Sequence, residues 1–418
     1  MVGRRVFFCR REDPMAEEKS DRVARSIRAL LDLPRYLVVA VERWAGWGRL
    51  TLVPRAPRFR CPRCRVTVAA GKASRWRPLR DLDVSRRHIE LLVRVYRIPC
   101  LKCGEPEVAV TLARQYARCT RRLEKELFRL TGDSTVKAVA KRMALDWETV
   151  KGAEVRYIRG LLRKRNLDGL TRIGIDEVSY QKGHRYLTLV TDLDGHRVVY
   201  ATHGNDGQAV GRFLTWLGPK RSRRIKVVVT DMHDPYLKVL RKRLPKATLV
   251  FDRFHVSKIV HDALDEIRRR LQRQLPPAGR RIIKGQRYVL LRAQETLSAK
   301  QRVSLQELLD TNTDLTKGWV LKEAFRDVFS ATNLRQGRKR LATWEEQVGE
   351  SGVPELLKVL KTIERRRAGI ENYFQHRVAN GMAEGFNNVV GTIKKQAYGF
   401  HDREYLKLKI LRICGKLE

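Results

Sequence analysis

Five stretches decide how this chain is read: Thr171-Arg-Ile-Gly-Ile-Asp-Glu-Val178, His184-Arg-Tyr-Leu-Thr-Leu-Val-Thr-Asp192, His196-Arg-Val-Val-Tyr-Ala-Thr202, Ile225-Lys-Val-Val-Val-Thr230 and Ala247-Thr-Leu-Val-Phe-Asp252. All five are rich in β-branched and aromatic residues, which fit a pleated surface, so each reads as a strand. Lys182-Gly183 and Asp194-Gly195 stand between the first three, where a glycine serves a tight turn, and this predicts three antiparallel strands in series. Helical patterns from Asn205 to Leu217 and from Pro235 to Arg243 precede the fourth and fifth stretches. The unbroken apolar run of the fourth reads as a buried parallel strand.

The order strand, strand, strand, helix, strand, helix, strand is that of the ribonuclease H-like fold, and it gives the acids their meaning. Asp176 lies on the first strand beside Ile173 and Ile175, and Asp231 closes the fourth, its neighbour in this topology. An acid at a buried strand end is costly to desolvate, so it is normally paired with a base or bound to a cation. A salt bridge or a helix N-cap accounts for one such residue, and less well for two in register. The third acid is expected from a helix near the C-terminus, over Ala379–Lys395. Phe386, Val389, Val390 and Ile393 make an apolar stripe there, while Glu384, Asn388 and Lys395 fall on the other side. A merely solvent-facing glutamate is the plain alternative. Gly381, Gly385 and Gly391 suggest close backbone approach.

Ahead of this region, Cys61-Pro-Arg-Cys64 and Cys100-Leu-Lys-Cys103 form two CxxC knuckles whose thiolates can close a tetrahedron around one zinc ion. Buried reduced cysteines are the alternative, and the strand-to-helix context of a redox CxxC is missing. The alternation Leu91, Val93, Val95 suggests strands between the pairs, in a small domain that folds only with metal and turns Arg60, Arg63, Arg65, Arg75, Arg77, Arg94 and Arg97 toward phosphates. Ser134–Val150 fits a helix-turn-helix. Val136, Val139, Ala140 and Met143 line its first helix, Ala144 and Leu145 make the turn, and Asp146 caps the second helix, which would enter the major groove. An ordinary helical hairpin remains open. Arg156, Arg159, Arg163, Lys164 and Arg165 continue it as a basic stretch.

Composition supports a polyanionic partner. The chain has 418 residues, 88 Lys plus Arg against 46 Asp plus Glu, and a formal charge of +42 spread along its length. Such self-repulsion is relieved by a nucleic acid. Charge alone does not separate DNA from RNA or exclude a ribosome-associated protein. No apolar run is long enough for a membrane span or signal peptide, so a cytoplasmic protein without a membrane partner is expected. The seven cysteines, four in two tight pairs, suit a metal site in a reducing compartment. Met15 is a plausible second start.

Taken together, Gly174-Ile-Asp176-Glu177, Thr230-Asp231-Met-His-Asp-Pro235, Phe251-Asp-Arg-Phe-His-Val256, Ala383-Glu384-Gly-Phe-Asn-Asn388 and Tyr398-Gly-Phe-His-Asp402 resemble the insertion-sequence transposases of the ISL-three group, over nearly the whole chain. The resemblance implies a DDE transposase: Asp176, Asp231 and Glu384 would hold two magnesium ions, cleave transposon ends and join the 3′-hydroxyls to target DNA. Asp252-x-x-His255 is similar to a motif that lies near the active site in Mutator and hAT relatives. A core histidine bonded to Asp252 is the alternative. Asp252, His255, Asn388 and Lys395 are thus candidate supports.

The expected order is an N-terminal segment (1–34), a zinc module (35–115), a helix-turn-helix domain (116–168), the first part of the catalytic core (169–258), an all-helical insertion (259–369) and the rest of the core (370–418). Arg63, Lys151, Arg156 and Arg159 are expected to touch DNA, and Trp319 to stack on a base if exposed. Two ends must be brought together, so a homodimer or higher oligomer on DNA is expected. Rival readings are a domesticated, catalytically silent DNA-binding regulator and a structure-selective nuclease of the resolvase type.

Overall fold

The computed structural model describes residues 5–7, 29, 31–33, 35–55, 58–69, 71–181, 183, 185–277, 280, 283–310, 312–397, 400 and 402–417. The proposed second start at Met15 and the turn residue Lys182 lie outside them, as do three residues (398, 399 and 401) of the Tyr398–Asp402 block. The chain divides into two compact units, Met1–Lys164 and Arg165–Glu418.

In the first unit, β1 (Arg5–Phe7), β2 (Tyr36–Trp44), β3 (Trp47–Pro54), β6 (Lys72–Arg80) and β7 (His88–Arg97) form a five-stranded sheet in the order β1-β2-β3-β7-β6, and β4 (Phe59–Arg60) pairs with β5 (Thr67–Val68). Pairing is antiparallel except between β3 and β7. Alternation is strict on β7, where Ile89, Leu91, Val93 and Val95 are buried, and they join Leu33, Leu50, Leu52 and Leu79 in one core. The cysteines lie in a separate small cluster with Phe59 and Ile98. The sheet thus has an apolar core of its own, separate from the cysteines, which the reading as a small metal-dependent domain did not include. Several arginines expected to face phosphates are also spent internally. Arg75 pairs with Glu107, and Arg77 donates to the carbonyls of Arg114 and Ala117.

Three helices complete this unit: α1 (Arg121–Asp133), α2 (Val136–Met143) and α3 (Trp147–Lys164). Thr120 and Thr135 cap the first two by accepting from Leu123 and Ala138 N–H. Buried Val136, Val139, Ala140 and Met143 are the apolar face read from the sequence. Ala144 ends α2 in the left-handed region at φ 49°, a conformation glycine adopts more easily. Asp146 then accepts from Thr149 N–H and Oγ1, each at 2.7 Å, which starts α3.

The second unit is built on β8 (Arg172–Gln181), β9 (Arg185–Asp192), β10 (Arg197–His203), β11 (Val227–Thr230) and β12 (Thr248–Phe251), in the order β10-β9-β8-β11-β12. β8, β9 and β10 are antiparallel, while β11 runs parallel to both β8 and β12. Helices α4 (Gly207–Leu217) and α5 (Asp234–Arg243), with a single helical turn at Pro219–Ser222 between α4 and β11, cover the face of Ile173, Ile175 and Val228.

After β12 the regular elements are helical: α6 (Arg253–Gln274), α7 (Arg287–Leu291), α8 (Ala299–Leu309), α9 (Thr313–Val328), α10 (Leu334–Ser351), α11 (Pro354–His376), α12 (Met382–Gln396) and α13 (Arg403–Ile413), with one short 3-10 turn at Gln294–Thr296. Helices α6 to α11 share one core that includes Val227, Val229, Val250 and Phe251, so this helical stretch packs directly on the sheet. Trp319 belongs to that core and is 9% exposed. Its predicted role as a stacking platform is corrected: the ring is packed among helices and offers no open face to a base.

The outer edge of β10 is clasped by both ends of this unit. Val198 N–H donates to the Cys414 carbonyl at 2.8 Å. Arg165 donates to the Val198 carbonyl at 3.0 Å and to the Gly415 carbonyl at 2.9 Å.

Candidate active site and metal centre

The sheet brings the strand acids together through its register. Val229 lies beside Gly174 in the parallel β8–β11 pair. Two residues further along each strand stand Asp176 and Asp231. Asp231 follows the carboxyl end of β11 and Asp176 lies beside it within β8, next to the position where strand order reverses, the usual place for a ligand in an open α/β sheet.

Helix α12 packs on β8 through Val390 and Ile393, with Phe386 and Val389 at the margin. Two polar bonds fix it there. Asn387 Nδ2 donates to Asp176 Oδ2 at 3.1 Å, and Lys394 Nζ donates to the Ser179 carbonyl at 3.1 Å. Glu384 lies one turn before Asn387, and residues three apart share a helix face. Its side chain is exposed and makes no hydrogen bond or ion pair among the described residues. Asn388 and Lys395, expected as supports, are exposed beyond this contact. The close approach expected at Gly381, Gly385 and Gly391 is also corrected, because a methyl group at any of them would meet open space. A close approach is made instead at Gly174 on β8, where a Cβ would fall 2.5 Å from Asn380 Oδ1.

Asp252 caps α6 by accepting from Phe254 N–H and is buried. Burial holds its carboxyl above the ordinary carboxylate range. His255, one turn along, sends Nε2 to 3.8 Å from Asp176 Oδ1. The neighbouring Asp176 carboxylate raises its pKa above the usual histidine value, with further contributions from Asp252 and Asp231. Asp231 itself accepts from His233 N–H at 3.1 Å. One ligand atom each from Asp231, Glu177 and His233 lie within 4.8 Å of one another. Asn387, Glu177 and His233 were not singled out from sequence, although Glu177 and His233 each stand within two residues of an acid that was.

The cysteine knuckles converge in the first unit. Cys61 and Cys64 lie in the β4–β5 hairpin, Cys100 and Cys103 follow β7, and the four sulfurs lie within 4.8 Å of one another. The backbone N–H of Cys64 is foremost in bringing the Cys61 thiol down to about 6, whereas burial is foremost in pushing Cys103 up to about 12. One thiolate thus forms readily, and each further ionisation is opposed until a cation balances it. This donor set fits a zinc finger.

A family model described as "Transposase" matches residues 173–410, from the second residue of β8 to α13, and a helix-turn-helix model of transposase family ISL3 matches residues 108–158. The chain belongs to the ISL3 family of transposases. Among relatives of this transposase is the transposase for insertion sequence element IS1001 of Bordetella parapertussis, 31% identical over 398 residues, covering 90% of this chain and 98% of the relative. Another is the transposase for insertion sequence element IS1557 of Mycobacterium tuberculosis, 31% identical over 435 aligned positions, covering 94% and 96%. The transposase contains helix-turn-helix and catalytic-domain matches and is a DNA-binding protein. Among its described residues no helix is long and apolar enough to cross a membrane.

The expected DNA contacts of this transposase have mixed surroundings. Arg159 is exposed on α3. Lys151 lies over the Trp147 ring at 4.7 Å. Arg63 donates to the Cys103 carbonyl across the knuckles. Arg156 is held by Glu124, whose carboxylate is almost fully buried and also pairs with Arg114. Leaving that carboxylate unpaired would be costly, so Arg156 serves the packing of the unit.

Proposed function

We propose that the protein cleaves the ends of its mobile element with two divalent metal ions and joins the freed 3′-hydroxyls to target DNA. Asp176, Asp231 and Glu384 are the acids that hold the metals, on a ribonuclease H-like core interrupted by a helical insertion. The observation that carries this reading is the bond from Asn387 to Asp176. It ties the helix bearing Glu384 to the central strand, beside the strand that ends in Asp231.

Strand order supports the core assignment: three antiparallel strands in sequence, with two further strands parallel to the first. The donor set suits a hard dication, since carboxylate oxygens dominate it and the buried Asn387 Oδ1 has no hydrogen-bond partner. Bound metal would activate the attacking oxygen and relieve charge on the leaving one. Asp176 is oriented by Asn387, and His255 lies against its other oxygen, where a proton can neutralise the carboxylate before metal arrives. The knuckle cysteines hold one structural zinc ion, and the exposed basic residues of α3 contact DNA. Two ends must be held at once, so the working form on DNA is a dimer or larger assembly, acting in the bacterial cytoplasm.

The test is cleavage of DNA carrying candidate end sequences, with Mg2+ and purified full-length protein. Asp176→Asn, Asp231→Asn and Glu384→Gln should each abolish nicking and strand transfer while end binding persists. Nicking retained by any one of them overturns the triad.

A further inference from the structure

Asp176 and Glu177 are consecutive on β8, so their side chains leave opposite faces of the sheet. The contacts of Asp176, with Asn387 and His255, therefore leave Glu177 unexplained. Glu177 lies on the face of Ile173 and Ile175, with Tyr236 and Asn205 beside its carboxylate. Tyr236 is fully buried and also meets Thr188 Oγ1 at 2.9 Å, so it is a rigid support. His233 is held in turn by the same tyrosine, ring edge to ring face at a centroid distance of 4.9 Å. Its Nδ1 is buried, has no hydrogen-bond partner, and points to 3.7 Å from Glu177 Oε1. Asp231 closes the triangle.

We propose that Glu177, Asp231 and His233 form a binding position for one divalent transition metal, Mn2+ in preference to Mg2+, with His233 supplying a nitrogen donor. The inference rests on the reading of Asp231 as a metal ligand and adds two ligands to it. Three features point the same way. The three ligand atoms converge within 4.8 Å. The imidazole nitrogen is orphaned at the point where a metal would use its lone pair. The buried Tyr236 packs against the His233 ring and stands beside Glu177, which limits the freedom of both. A nitrogen among oxygens disfavours Mg2+, which is best held by oxygens in strict octahedral geometry, and suits a borderline transition metal.

Mn2+ is titrated into the full-length protein without DNA, free Mn2+ is followed by electron paramagnetic resonance, and the bound ion is examined by pulsed methods for coupling to 14N. The wild type should bind Mn2+ more tightly than Mg2+ and show nitrogen coupling. His233→Asn should lose that coupling, and both His233→Asn and Glu177→Gln should weaken Mn2+ binding by tenfold or more. His233→Asp should restore binding without nitrogen coupling and narrow the gap between Mn2+ and Mg2+, which excludes simple misfolding. Nitrogen coupling that survives His233→Asn but disappears in His255→Asn overturns the proposal. So does Mn2+ affinity indifferent to Glu177 and His233. If nicking needs Asp176 and Glu384 while Mn2+ ignores His233, this inference fails alone. If Mn2+ needs Glu177 and His233 while nicking survives Asp176→Asn, it stands and the triad falls.

Discussion

Asn387 donates its side-chain amide to Asp176 across 211 positions of sequence, and that bond joins the last long helices to the central strand. Removing it should leave Asp176 free to rotate. Asn387→Ala is expected to lower the rate of end cleavage by about 10- to 100-fold, the range seen when an outer partner of a metal ligand is lost, with end binding intact. Single-turnover cleavage beside a gel-shift titration checks it. An unchanged rate would mean that Asp176 is positioned by other groups.

The separation of the cysteine cluster from the sheet core predicts a local response to zinc removal. Chelation should expose the backbone of the β4–β5 hairpin and the residues around Cys100 and Cys103, while β2, β3 and β7 keep their protection through Leu50, Leu52, Leu91 and Val93. Amide hydrogen exchange with and without chelator distinguishes this from collapse of the whole unit, which would reinstate a metal-dependent fold.

Helix α11 crosses β12 at Gly369, where an added Cβ would lie 2.4 Å from the Phe251 ring. Phe251 is buried and immediately precedes Asp252. Gly369→Ala should therefore cost about 1 to 3 kcal/mol through overpacking. Gly391→Ala, with open space around its Cβ, should be neutral or mildly stabilising. Denaturant midpoints of the two variants, compared with the wild type, decide it.

His255 gives a pH dependence with a definite sign. Its folded pKa is raised above the ordinary 6.5, first by the adjacent Asp176 carboxylate. The stabilisation it contributes is complete below 6.5 and is lost as pH rises through the elevated folded value. Urea midpoints of the metal-free protein, taken across this window, should fall more with rising pH for wild type than for His255→Asn. Parallel profiles would show that the pair contributes nothing measurable.

Much of the second unit was legible because its signals are local. The five strands of its sheet begin and end within three residues of their sequence-read limits, since runs such as Val227–Thr230 are bounded by turns and caps. The helix-turn-helix was legible for the same reason, down to Asp146 as cap and Ala144 as turn. What was missed is tertiary. Helical periodicity separates the packed side of α12 from the rest, but Asn387 and Asn388 both lie near that border. Only the neighbouring strand decides that Asn387 meets Asp176. Arg156 looked like a phosphate contact until Glu124, far away in sequence, was found beneath it. The parallel pairing of β3 with β7 likewise joins strands separated by the first cysteine hairpin, and no local pattern announces it.

The clasp on β10 bears on how the protein is made. Cys414 and Gly415, which help close that strand edge, are synthesised long after Val198. A nascent or prematurely stopped chain ending before Arg403 would present Val198 and its neighbours as an unprotected pairing template, so the hazard of truncation is self-association into aggregates more than a shortened recombinase at large in the cell.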